Sequence, residues 1–269
     1  NCGGPAYFDP RDPDPERRLK FLYSAQRSFS DLKGQYLLTS PDGITWKHAG
    51  KWGERSLDAP ISIFYHERRG TYVISNRPIN ADRRVAFIET KDFVTFTEPH
   101  TVMYPGPEDP PLTEFYGMTV FPYEGMYVGL LLVTHADPSL LDRRASAVDG
   151  ALAYSYNGWN FNRAFHVPFV PRNDRDQPGG GGIYPSCLVR DESNTLRIYS
   201  GGSRAGHFHL KEPLDSAVML HTLRLDGFMY LEPNGLKGSL TTRPLRFKGS
   251  RLQLNVRAPE RLMRAAAPR

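Results

Sequence analysis

Side chains with acid–base capacity stand just ahead of strand-like runs in this 269-residue chain. Asp58 precedes Ala59-Pro60 and an apolar run over residues 61–65. Glu114 precedes a run over 116–121, with Tyr116 two residues on and therefore on the same strand face. Asp174 and Asp176 lead through four consecutive glycines, 179–182, to Tyr184. Arg77 and His135 fall at the far ends of second runs, and so do Arg204 and His207. Two carboxyl groups facing across a bond can divide acid and base work between them. A histidine with a tyrosine, His135 or His207 with Tyr116 or Tyr184, could also move a proton. Arg77 could hold a carboxylate ionised or grip an anionic substrate. Plainer readings stand beside these: Asp58 as a cap beside Pro60, Glu114 as a solvated loop acid after Glu108-Asp109-Pro110-Pro111, and His135 as a satisfied strand-end residue. Asp9, Asp12 and Asp14 alternate with prolines, the pattern of a turn-rich surface loop, and Asp9 is the candidate for a third catalytic acid. His207-Phe208-His209 would put two imidazoles on one strand face, but no third ligand follows at a fixed spacing. No metal and no cofactor are expected.

The elements that must position these residues repeat. Four segments share one pattern of a small or polar residue, any residue, Asp or Asn, usually Gly, two of any type, then an aromatic. They are Ser40-Pro41-Asp42-Gly43-Ile44-Thr45-Trp46, Thr90-Lys91-Asp92-Phe93-Val94-Thr95-Phe96, Ser155-Tyr156-Asn157-Gly158-Trp159-Asn160-Phe161 and Arg224-Leu225-Asp226-Gly227-Phe228-Met229-Tyr230. Asp-Gly and Asn-Gly supply the positive φ of a tight turn, and the short polar side chain caps the turn's own amides. Strand-like runs precede each turn: 21–24 and 35–39; 61–65, 71–75 and 85–89; 116–121, 126–134 and 151–155; 184–190, 196–200 and 217–225. The one short helix expected is over 15–19. Four antiparallel strands per unit, repeating at about 50–65 residues, describe an all-β chain folded as a β-propeller. A β-sandwich is the alternative, and it predicts no such recurrent turn. The expected domain is a single propeller over 1–255, with units over 7–52, 58–104, 114–170 and 183–233 and closing strands over 239–255. A basic tail follows over 256–269.

The turn of residues 40–46 resembles the blade-ending turn of five-bladed propeller glycosidases. Phe115-Tyr116-Gly117-Met118 with Pro122-Tyr123-Glu124-Gly125-Met126-Tyr127 resembles the third-blade region of bacterial proteins related to glycoside hydrolase families 32, 43 and 68. Asp226-Gly227-Phe228, Thr242-Arg243-Pro244-Leu245 and Leu252-Gln253-Leu254-Asn255 extend the likeness over most of the chain, from about Phe8 to Asn255. The resemblance implies a glycoside hydrolase acting on an extracellular or periplasmic oligo- or polysaccharide. It implies an orienting role for Asp58 and a general-acid role for Glu114, with Arg77, Tyr116, His135, Asp174, Tyr184, Arg204 and His207 contacting substrate. Only four turn repeats are visible, and Phe8-Asp9-Pro10 resembles a segment that follows a first blade. The acid of that blade is then either absent or supplied by Asp9, Asp12 or Asp14. Two other readings remain open: a non-catalytic glycan-binding propeller, and a polysaccharide lyase acting on a uronate. Residues 179–182 read as a flexible inter-blade loop, since no Lys-Ser/Thr follows them as in a phosphate loop. Trp46, Phe96 and Phe161 read as blade core, whereas Trp52 or Trp159 could stack on a sugar ring.

Composition narrows the partners. The formal net charge is +5, and 26 of the 34 basic residues are arginine. They are dispersed, with no nucleic-acid-binding signature, so nucleic acid is not an expected partner. The longest apolar stretch, residues 128–133, falls far short of the ~20 residues of a membrane-spanning helix. Of the two cysteines, Cys187 lies in an apolar run and reads as a small core residue.

Overall fold

The computed structural model describes residues 4–25, 34–53, 61–78, 83–135, 146–207, 216–235, 238–244, 246, 248–251 and 254–256. The chain divides into two compact units, Asn1–Phe228 and Met229–Arg269. The first is built almost wholly of antiparallel strands, and no α-helix occurs among the described residues. Blade 1 comprises β1 (Ala6–Phe8), β2 (Leu19–Ala25), β3 (Gly34–Ser40) and β4 (Lys47–Gly53). Blade 2 comprises β5 (Ser62–His66), β6 (Thr71–Asn76), β7 (Val85–Thr90) and β8 (His100–Met103). Blade 3 comprises β9 (Thr113–Tyr123), β10 (Met126–His135), β11 (Ala147–Ser155) and the short β12 (Asn162–Arg163). Blade 4 comprises β13 (Gly182–Arg190), β14 (Thr195–Ser203) and β15 (Ser216–Arg224). A single parallel pairing, Val148 with Gly182, joins blades 3 and 4 into one sheet.

The first strands of the four blades are neighbours in series: β1 against β5, β5 against β9, β9 against β13. That is the radial arrangement of a β-propeller. Strand alternation explains what holds it. Successive side chains point to opposite faces, so a blade flanked on both sides needs apolar residues at both phases. In blade 2, Ile74 and Ile88 pack with Leu22, Leu37 and Trp52 of blade 1. Their chain neighbours Val73 and Phe87 pack with Phe115, Leu131, Val133 and Phe161 of blade 3. In blade 3, Leu130 turns the other way, onto Ile183 and Ile198 of blade 4. Each such buried side chain contributes roughly 1.5–3 kcal/mol relative to exposure. The continuous apolar doublets Val73-Ile74, Phe87-Ile88 and Leu130-Leu131 are therefore the mark of sheets covered on both faces.

The recurrent turns are built as their residues demand. In the first, the Asp42 carboxylate accepts the Ile44 and Thr45 amides, each at 2.8 Å, while the Ser40 hydroxyl accepts from Gly43 N–H at 2.9 Å. The turns at Thr90-Asp92 and Ser155-Asn157 repeat this bonding. Phe93 takes the left-handed conformation that Gly43 and Gly158 hold in the other two. The fourth turn differs because Arg224 replaces the hydroxyl residue. There the Leu223-to-Phe228 segment closes through Gly227 N–H to Arg224 O, and Tyr123 OH donates to Asp226 at 2.6 Å.

Several expectations are corrected. The helix expected over 15–19 is a 3-10 turn, Pro15–Arg17, and Leu19 already belongs to β2. No described residue of 229–256 lies in a strand, so the closing strands expected over 239–255 do not appear among them. Trp52 is buried, packed on Phe96, whereas Trp46 is only half-buried, because it lies across Phe21 at the blade's edge. Cys187 is half-buried and a free thiol. Residues 179–182 are tightly packed rather than flexible: a side chain at Gly180 or Gly181 would run into the backbone of Asp174 or Ala205.

Candidate functional site

The candidate site lies at the leading ends of β9 and β13 and the trailing ends of β6, β10 and β14. Antiparallel pairing brings these ends together, since each second strand runs back to where its first began. On β9, Glu114 stands opposite Thr134 of β10. The register then shifts: Phe115 pairs with Val133 and Gly117 with Leu132, leaving Tyr116 as the extra residue of a bulge. Bulges re-aim side chains, and Tyr116 becomes the hub of the cluster. The Arg77 guanidinium lies 4.5 Å from its ring centroid and that of Arg83 5.7 Å. The rings of His207 and Tyr184 meet it edge-on at 4.5 and 6.1 Å.

Two polar groups flank this hub. On the blade 2 side, Arg83 donates to Glu114 Oε2 at 2.6 Å, both side chains being partly exposed. Arg77 is buried and donates through Nε to the Tyr116 carbonyl at 3.3 Å. On the blade 4 side, Tyr184 OH lies 3.0 Å from His207 Nδ1, and the His207 amide donates to the Ser146 carbonyl at 2.9 Å. Burial raises the Tyr184 phenol above its ordinary range, and the neighbouring Tyr116 adds to this against an opposing effect of Arg83. Tyr184 is thus a protonated hydroxyl at neutral pH.

A further acid completes the rim. Asp149, on β11, accepts from Arg172 Nε at 3.0 Å and lies 3.0 Å from His135 Nε2. The Arg172 amide also donates to Asp149, and the Arg172 guanidinium reaches the Gly180 carbonyl at 3.2 Å. Burial opposes ionisation of Asp149, but the His135 hydrogen bond and the Arg172 charge outweigh it, so its carboxyl sits below the usual range. Asp109 behaves alike: burial is outweighed by the Gly106 amide and the Arg163 guanidinium. A carboxylate depressed in the folded state stabilises fully above its unfolded value of ~3.9, and that stabilisation is lost as pH falls through the folded value. The thermal midpoint is accordingly expected to drop on acidification below about pH 4. Asp149→Asn should flatten that dependence in thermal unfolding measured across the acid range.

The expected residues divide clearly. Glu114, Tyr116, Arg77, Tyr184 and His207 come together, and His135 stands on the adjacent β10 end with Asp149. Arg204 and Asp174 are exposed on the segments that follow β14 and precede the glycine run. Asp58 and His209 lie outside the described residues. Asp9 is not brought to this cluster. It is buried, bonded to Lys20 and to the hydroxyl of Tyr72 at the start of β6. Arg77 follows the other end of that strand, about 16 Å away at strand rise. The reading from residue types passed over Arg83, Asp149 and Arg172. Asp149 left a signal: it is the sole charged side chain within the otherwise apolar β11, Ala147–Ser155.

No protein-family model matches the chain, and no curated protein sequence does. Solved structures match its fold. One belongs to the GH130 family of mannoside phosphorylases containing hydrolases that target β-1,2 mannosidic linkages in Candida mannan, at TM-score 0.54 and 15% identity. The match covers 80% of this chain and 64% of that one. A thermostable family-43 glycoside hydrolase matches at TM-score 0.54 and 14% identity, covering 83% and 72%. An N-acetylgalactosamine deacetylase from F. plautii, in complex with blood group B trisaccharide, matches at 0.54 and 13%, covering 81% and 70%. The blades, their radial order and these matches establish that the chain has the β-propeller fold found in glycoside hydrolases of families 43 and 130.

Proposed function

We propose that this propeller is a carbohydrate-active enzyme that cleaves glycosidic bonds in an oligo- or polysaccharide outside the cytoplasm. The observation that carries this reading is the convergence of Glu114, paired with Arg83, on the Tyr116–Tyr184–His207 aromatic cluster at one end of the inner strands. Aromatic faces offer apolar surface to sugar C–H groups, and fixed polar groups orient hydroxyls. Glu114 supplies one of the two carboxyl groups that hydrolysis needs, and Asp58, ahead of β5, is the candidate for the second. Similar folds act on β-1,2 mannosides, so such oligosaccharides belong in the first substrate panel.

One observation favours a second reading. The Tyr184 hydroxyl against His207 Nδ1, with Arg77 nearby, suits β-elimination on a uronate, in which a base removes the proton beside the carboxylate and an acid protonates the leaving oxygen. A panel of neutral and uronate-containing glycans separates the two. Hydrolysis yields new reducing ends without ultraviolet absorbance, whereas elimination yields an unsaturated, absorbing product. Binding with neither product would leave a glycan-binding propeller and overturn the enzymatic reading.

A further inference from the structure

The Tyr184–His207 contact depends on residues that have no side chain. Gly182 opens β13 two residues before Tyr184, so the two share a strand face. A Cβ on Gly182 would stand 2.9 Å from the Tyr184 hydroxyl and 3.1 Å from Cε2 of the same ring. The tyrosine therefore lies folded back along its own strand, over the space that a methyl group would fill. Gly182 cannot retreat, because its backbone pairs with both Ser203 and Val148. A Cβ there moves the phenol, and the atom it meets first is the one 3.0 Å from His207 Nδ1. Gly181 does the same for the other partner. Its Cβ would strike the Ala205–Gly206 peptide, the segment that carries His207. Gly181 is itself tied by its amide to the Ser203 carbonyl at 2.9 Å. Sterics at these two positions thus bear on both ends of one hydrogen bond.

We infer that Gly181 and Gly182 are positioning residues that set the Tyr184–His207 pair, Gly182 by seating the phenol ring and Gly181 by seating the segment after β14 that bears the imidazole. The inference rests on the reading of that pair as part of the site, but it concerns geometry and fails separately from any glycan activity. The probe is the His207 Nδ1 resonance in ¹⁵N-labelled protein, which reports the hydrogen bond at that nitrogen. Tyr184→Phe defines the signal without the bond. Gly182→Ala is expected to move the His207 signal to that of Tyr184→Phe, and Gly182→Ala with Tyr184→Phe to add nothing further. A Gly182→Ala signal that stays at the wild-type position while Tyr184→Phe shifts would overturn the inference. Should Gly182→Ala fail to fold, Gly182→Ala with Tyr184→Ala decides. Recovery of folding once the ring is gone supports the seat, and continued failure shows that Gly182 is required for something other than Tyr184.

Discussion

Glu114→Gln is expected to lower turnover of a cleaved glycan by ~10²–10⁴-fold, the usual worth of a positioned acid or base. Glutamine keeps the length of the side chain and an oxygen that can accept from Arg83, so the 2.6 Å contact has a neutral substitute. What the amide lacks is a proton to give or a negative charge with which to take one. The loss should fall on kcat, because the group acts on the reacting bond rather than on substrate binding as a whole. The pair lies only partly shielded from water, the Glu114 side chain being 21% exposed, so the thermal midpoint should move little. Parallel measurement of turnover and thermal midpoint separates the roles. A fallen midpoint with turnover intact would make Glu114 a structural partner of Arg83 and remove it from the chemistry.

The second large effect is expected at the opposite end of the inner strands. Lys20 is the second residue of β2, its side chain 1% exposed, and Asp9 beside it is equally buried. All three ammonium protons have acceptors: Asp9 Oδ2 and Asp12 Oδ2 at 2.8 Å each, and the Arg17 carbonyl at 3.0 Å. Asp9 also accepts from Tyr72 of blade 2, so the network clamps one blade to the next. Lys20→Met leaves two carboxylates facing each other without their shared cation, that of Asp9 fully buried and that of Asp12 mostly so. Removing one partner of a buried ion pair costs about 3–5 kcal/mol, a large part of the 5–15 kcal/mol that holds a typical domain. At the size of this unit that corresponds to a drop in thermal midpoint of roughly 6–20 °C. Restoring neutrality with Asp9→Asn and Asp12→Asn beside Lys20→Met should recover much of the loss, because an uncharged set carries no unpaired charge. A Lys20→Met protein as stable as wild type would show that water reaches these acids. The network also has a pH signature. Burial opposes ionisation of Asp12, but Lys20 and the Asp14 amide outweigh it and hold its carboxyl below the ordinary range. Its contribution is present above ~3.9 and fades as pH falls through the folded value.

The strands were legible because strand periodicity is local. Val73-Ile74 and Phe87-Ile88 announce sheets covered on both faces, and Ser40-Pro41-Asp42-Gly43 announces its turn through side chains two and three residues from the amides they bind. β4 and β8 were not legible. Apart from the buried Trp52 and Met103 their residues show no alternation, as in the polar, exposed Lys47-His48-Ala49-Gly50-Lys51, and pairing with β3 and β7 makes them strands. The site was half legible. Glu114, Tyr116, Arg77, Tyr184 and His207 are of the right types at strand ends, and each is reachable from a single blade's pattern. Arg83 gains its meaning from a partner 31 residues away, and Arg172 from one 23 residues away. Asp9 shows the reverse case. Its spacing among prolines fits a surface acid, yet β2 brings Lys20 beside it and Tyr72 covers it, so a candidate for chemistry is part of the frame.

By itself, then, the order of residues determined the elements and their repetition, since turn capping and two-residue alternation act over distances shorter than one blade. Only the tertiary structure decided which side chains share a site, because the Tyr116 bulge arises where β9 pairs with β10, the Tyr184–His207 contact spans 23 residues of blade 4, and the Glu114–Arg83 pair forms where two blades meet. It decided as well that the glycine run is a packed seat, a property set by what lies against it rather than by its own composition.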